Sequence, residues 1–163
     1  MAVMVLQGVS GSGKSTFARL PRGVKTVVVS ADDYFMKGGV YRFDPSKLSD
    51  AHGSCLKRFV ETLQAYYNIE VLVIVDNTST TIAELAPYMA CAGAWKHEAK
   101  VIRFDVDPVI AAGRNVHGVS AATVVSQLSR IQSERLPPWW EGEVVRIFDV
   151  ETGTPWAFHE TVG

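Results

Sequence analysis

Continuous apolar runs alternate along the chain with stretches whose apolar residues recur every three or four positions. The runs are Val3–Leu6, Thr26–Val29, Val71–Val75, Lys100–Phe104 and Val144–Phe148. Mostly apolar runs of this length, rich in β-branched residues, mark strands covered on both faces. Between them the spacing predicts helices. The first begins at a glycine-rich turn and stops before Pro21-Arg22-Gly23. The second runs over about 45–66, with Asp44 as N-cap and Pro45 in the first turn. It presents Leu48, Ala51, Cys55, Phe59 and Leu63 on one face. A third covers Thr81 to Lys96 and must accommodate Pro87. Pro108–Arg114 and Ser120–Arg135 complete the set, with Ser120 as a cap. Strand and helix alternation of this kind predicts an α/β protein of three layers, a parallel sheet of about five strands with helices on both faces.

The chain has 163 residues, 47% of them apolar and 20% charged. That is enough for one such core, and with no linker, repeat or low-complexity segment a single domain over 1–163 is expected. A lid would lie at about 114–135 and a tail at 149–163. The formal net charge of −1 means that any polyanion must be met by a local basic cluster. Cys55 and Cys91 match no metal-ligand spacing and read as thiols in a reducing compartment. Met1–Leu6 has no basic residue before it and ends at a glycine turn, so it reads as a strand rather than a signal peptide or membrane span. A cytoplasmic protein with no membrane partner is the expectation.

The first apolar run leads into Gly8-Val9-Ser10-Gly11-Ser12-Gly13-Lys14-Ser15-Thr16. Gly-x4-Gly-Lys-Ser between a strand and a helix is a phosphate loop. Gly8, Gly11 and Gly13 let the backbone curl so that successive N–H groups, including those of Ser10 and Ser12, line an anion-sized nest. The helix that follows offers its positive end to the same anion. Lys14 would bridge the β- and γ-phosphates of ATP, Ser15 would complete a Mg²⁺ shell, and Thr16 would touch the α-phosphate. A guanine-specific protein would need Asn-Lys-x-Asp, which does not occur, and an AAA-type machine would need far more chain.

Ligands of an open parallel sheet bind beyond the carboxyl ends of its strands. The second run ends there in Asp32-Asp33, the third in Asp76-Asn77. Asp76 suits a magnesium ligand, direct or through water. Adjacent carboxylates repel, so Asp32 and Asp33 call for a cation or a catalytic duty, and one of them can take a proton from an attacking hydroxyl. Arg114, after the fourth run, would reach the transferring phosphate, and Arg130, on the following helix, the nucleotide.

Together, Gly8–Thr16, Ser30-Ala31-Asp32-Asp33-Tyr34-Phe35, Asp76-Asn77-Thr78 and Arg114-Asn115-x-His117-Gly118-Val119 resemble the P-loop kinases related to polynucleotide 5′-hydroxyl kinases. They are especially similar to the kinase-like domain of the NEDD4-binding protein 2 group and its phage and bacterial relatives. Tyr41-x-Phe43-x-Pro45-x-x-Leu48-x-x-Ala51-His52 extends the likeness, which covers roughly 1–135. The resemblance implies an ATP-dependent kinase acting on a hydroxyl, with Asp32 as general base and Arg114 as the lid arginine. Two departures stand out: Phe35 occupies a position where that family carries arginine, and His117 one where some members carry a second. Acceptor-side residues are expected at Asp33, Tyr34, Arg42 and Asn77. Lys37, Arg42 and Lys47 alternate with Tyr34, Phe35, Tyr41 and Phe43, a pattern able to stack bases and track a nucleic-acid backbone. The leading acceptor is therefore a 5′-hydroxyl of DNA or RNA. A hydroxymethylated base in phage-type DNA, a small metabolite, and a non-catalytic nucleotide-binding module are the alternatives.

Overall fold

The computed structural model describes residues 1–115 and 118–146, with side chains placed up to residue 140. His117 of the expected lid, the end of the last expected strand at Ile147 and Phe148, and the tail at 149–163 lie outside the described residues.

Five strands form one sheet: β1 (Ala2–Gln7), β2 (Thr26–Val29), β5 (Leu72–Val75), β6 (Glu98–Asp105) and β7 (Glu141–Arg146), in the order β2-β5-β1-β6-β7. Every pairing between them is parallel. In the central strands successive side chains enter opposite layers. Val71, Val73 and Val75 pack with Val3, Val5 and Val29 under α2 (Leu48–Ala65) and α3 (Ile82–Ala94). Leu72 and Ile74 pack on the other face with Leu6, Ile102, Phe104 and Phe17 of α1 (Lys14–Ala18). Both faces being covered is the reason these runs carry no polar alternation.

On α2 the buried residues are Ala51, Cys55, Phe59 and Leu63, each one turn from the next. Leu48, expected on the same face, stands exposed at the helix start. α3 runs unbroken through Pro87 and is held at its N-terminus by a capping box between Thr81 and Glu84. α1 is short because Arg22 ends it: the guanidinium donates to the carbonyls of Phe17, Ala18 and Leu20 at 2.8, 3.3 and 2.9 Å. α4 (Pro108–Arg114) and α5 (Ala121–Ser133) form a third cluster with Val9 of the glycine loop, through Val106, Ala111, Val124 and Ile131.

A small antiparallel hairpin, β3 (Met36–Lys37) and β4 (Val40–Tyr41), was not anticipated. Gly38 and Gly39 form its two-residue turn with φ of 58° and 79°, a conformation that glycine adopts without strain. The tryptophan pair after α5 turns the chain: Pro138–Trp140 is a short 3-10 turn, with Trp140 packed on the core and Trp139 exposed. Among the described residues no helix is long and apolar enough to cross a membrane.

Candidate functional site: a phosphate loop beneath three carboxylates

The loop from Gly8 to Gly13 leaves the carboxyl end of β1, the middle strand, with β5 and then β2 on one side. This order brings the ends of all three strands, and the aspartates they carry, to one rim. The Gly8 N–H donates to the carbonyl of Thr78 at 3.0 Å, tying the loop to the end of β5. Gly11 and Gly13 adopt φ of 81° and 92°. Gly11 is doubly constrained, since a Cβ there would lie 2.0 Å from the Ala111 carbonyl oxygen of α4. Gly8 is required for space instead: a Cβ would meet Phe104 and Ser12 at 2.8 Å.

Lys14 is buried in the curl, where its Nζ donates to the carbonyls of Gly8 and Val9 at 2.9 and 2.7 Å and to Ser12 Oγ at 3.3 Å. Burial pulls its ammonium down from the ordinary 10.5 to about 8, against the opposing pull of Asp76 and then Asp32. Asp76 is also buried, and desolvation raises its carboxyl above the ordinary carboxylate value. A hydrogen bond with the Ser15 side chain and the charges of Lys14 and Arg19 act the other way. Lys14, Ser15, Asp76 and Asp32 are thus brought together at one place. Arg19, four residues after Ser15 at the C-cap of that short helix, adds a further positive charge toward Asp76; only its spacing could have indicated this.

The remaining expected residues divide. Thr16 is exposed on α1, and Arg42 is exposed beyond the hairpin, its backbone N–H bonded to the Phe35 carbonyl at 2.9 Å. Tyr34 is half-buried edge-on to Phe35, with ring centres 5.5 Å apart. Asp33 pairs with Arg58 of α2, at 2.5 Å. Asn77, expected on the acceptor side, is buried and fully engaged. Its Oδ1 accepts from the Ala31 N–H at 2.9 Å, and its Nδ2 donates to the Tyr88 hydroxyl at 3.1 Å and lies 3.5 Å from Cys55 Sγ. It braces the β2 and β5 ends against each other and offers no free donor to an acceptor. Ser30 adds to the brace by donating to the Asp76 carbonyl at 2.8 Å.

Arg114 ends α4, half-buried, and Arg130 is exposed on α5; neither hydrogen-bonds to the loop or to Asp32 among the described residues. The lid region expected at about 114–135 is anchored along α5. Gln127 is buried there and grips Ser10 twice, accepting from its N–H at 2.8 Å and donating to its Oγ at 3.1 Å. At the far end of α5, Glu134 accepts from the Ile82 N–H at the start of α3. Gln127 was missed in the sequence, although its place between Val124 and Ile131 in a buried stripe was a readable signal.

The residues fit a magnesium ion that arrives with a nucleotide. Ser15 hydroxyl and Asp76 carboxylate converge, whereas no group of three or more His, Cys, Asp or Glu among the described residues could hold a metal unaided. Magnesium characteristically takes one or two protein oxygens and draws the rest from phosphates and water.

Strand, glycine loop, short helix and a parallel sheet with a carboxylate on the neighbouring strand define a P-loop domain of the kinase type. A family model described as an AAA domain matches residues 3–136, and the chain belongs to that family. It is 34% identical over 143 residues to NEDD4-binding protein 2 of Homo sapiens, a match covering 81% of this chain and 8% of that protein. Among solved structures, a chain of the Pnkp1/Rnl/Hen1 RNA repair complex superposes with a TM-score of 0.65 at 19% identity, over 81% of this chain and 44% of that one. A gluconokinase from Sinorhizobium meliloti 1021 gives 0.58 at 16% identity, over 91% and 84%. The chain thus spans a small part of the curated relative, and the solved structures share its P-loop kinase fold. The AAA description attaches to the family, while the folds it resembles are those of kinases.

Proposed function

We propose that the domain is an ATP-dependent kinase that transfers the γ-phosphate to a hydroxyl, with a 5′-hydroxyl of a nucleic acid as the leading acceptor. The observation that carries this reading is the convergence of Lys14 and Asp32 at the rim of the phosphate loop, a donor-side cation that feels the charge of an exposed carboxylate. Lys14 and the loop N–H groups would hold the β- and γ-phosphates. Ser15 and Asp76 would hold magnesium, which would supply further positive charge to the phosphates. Asp32 takes the proton of the acceptor hydroxyl as that oxygen bonds to the γ-phosphorus; the bond to the β–γ bridging oxygen breaks, ADP leaves, and Asp32 returns its proton to solvent. Arg114, at the end of the helix that overlies Gly11, is the candidate to meet charge on the transferring group.

The nucleic-acid acceptor is supported by the resemblance of the motifs to polynucleotide 5′-hydroxyl kinases and by the exposed Phe43, with Lys37 and Arg42 nearby in no ion pair among the described residues. A small-molecule acceptor is the second reading. It is favoured by the ion pairs of Arg58 with Asp33 and Lys47 with Asp50, which neutralise two of the basic residues of this region.

The test is transfer from radiolabelled ATP to a panel containing 5′-hydroxyl oligonucleotides, hydroxymethyluracil DNA and sugars. Labelled oligonucleotides are expected; a labelled sugar with unlabelled oligonucleotides overturns the leading acceptor. Asp32→Asn should lower the transfer rate by about 10²–10⁴-fold while ATP binding survives. Transfer at the wild-type rate would remove Asp32 from the reaction.

A further inference from the structure

The β3–β4 hairpin folds the chain back over the turn that carries Asp32. Met36 pairs with Tyr41, and the Arg42 N–H closes on the Phe35 carbonyl at 2.9 Å. The fold-back seats the Tyr41 ring against Phe35, with ring centres 6.0 Å apart, and delivers its hydroxyl to Asp32 Oδ1 at 2.9 Å. Phe35 itself is core, 2% exposed, so the hairpin is pinned to the body of the domain at its base. From the other side, Ser30 Oγ accepts from the Asp32 N–H at 3.2 Å, and the Asn77 brace fixes Ala31. Asp32 is therefore exposed to solvent yet held from its backbone and from one carboxylate oxygen. No described residue donates to Oδ2.

We propose that Tyr41 is a positioning residue for the phosphoryl transfer: by donating to Oδ1 it fixes the rotation of the Asp32 carboxylate and leaves Oδ2 as the oxygen that receives the acceptor's proton. This rests on Asp32 being the general base. An exposed aspartate with no partner samples several rotamers, and a misdirected base loses rate without weakening the nucleotide site. The phenol suits this role because its hydroxyl stays protonated: burial first, then the Asp32 charge and hydrogen bond, push its ionisation above the ordinary value. The hairpin thereby has a function besides closing the chain, and the Gly38-Gly39 turn sets the register that brings Tyr41 opposite Met36.

The experiment compares wild type, Tyr41→Phe, Asp32→Asn and the double variant, with transfer read on the acceptor that wild type labels. Tyr41→Phe keeps the ring on Phe35, so the fold and the KM for ATP should stay at the wild-type level while kcat falls about tenfold. In the Asp32→Asn background the same substitution should change kcat less than twofold, because its effect passes through the carboxylate. Wild-type kcat in Tyr41→Phe, or full multiplicative loss in the double variant, overturns the positioning role. Wild-type kcat in Asp32→Asn overturns the general-base reading instead, and Tyr41 falls with it. A rise in the KM for ATP in Tyr41→Phe with kcat unchanged would place Tyr41 on the donor side, and would also overturn the proposal.

Discussion

Lys14 is the residue in which the constraints on this site are most concentrated. Its ammonium is buried among carbonyls, so in the ligand-free protein its proton is lost at about pH 8 rather than near 10.5. Above the ordinary value neither state carries the proton and the burial of charge is absent. As the pH falls from 10.5 through about 8 the unfolded chain binds the proton first, and stability is lost over that window. Relative to Lys14→Met, wild-type stability should therefore rise with pH between about 8 and 10, by up to about 1.4 kcal/mol per pH unit. Urea unfolding of both proteins at three pH values measures the slope, and parallel curves would refute it. At the same scale, Asp33 and Asn77, expected on the acceptor side, have their side chains engaged within the fold. Their neighbours in sequence point to the site, but Arg58, 25 positions away, and Tyr88, 11 positions away, engage their side chains.

At the scale of elements, α5 matters more than its exposed surface implies. Its outer face is polar and its inner stripe apolar, as for an ordinary amphipathic helix, yet Gln127 breaks the stripe to hold Ser10. Gln127→Ala leaves the half-buried Ser10 N–H without its protein partner and should cost about 0.5–1.5 kcal/mol of stability. Because the lost bonds brace the phosphate loop, nucleotide affinity should fall in the same variant. Denaturant unfolding and calorimetric titration with ATP read the two effects, and a destabilised variant with unchanged affinity would make Gln127 a packing residue only. The helix was legible from its spacing and from Ser120 as cap. Its attachment to the loop was not, because a glutamine in a buried stripe can face any of several elements until the fold chooses one.

At the scale of the molecule, the site rests on the layer formed by α2, α3 and the sheet. Phe59 is fully buried there, edge-on to Tyr88 with ring centres 5.2 Å apart, and Tyr88 in turn holds Asn77 behind the rim of the phosphate loop. Phe59→Ala should destabilise the domain by about 3–5 kcal/mol through the cavity it leaves. Chemical unfolding measures this directly; a loss below about 1 kcal/mol would mean that the layer collapses around the gap. The phosphate loop, the buried strands, the faces of the helices and the aspartates at the strand ends are legible along the chain. These are local patterns, set by backbone sterics, side-chain period and a contiguous motif. That β5 lies between β1 and β2, that Gln127 reaches Ser10 117 residues away, and that Tyr41 turns back onto Asp32 is settled in the folded domain alone. Such contacts depend on how covered layers pack against one another, and packing chooses among partners that local pattern leaves equivalent.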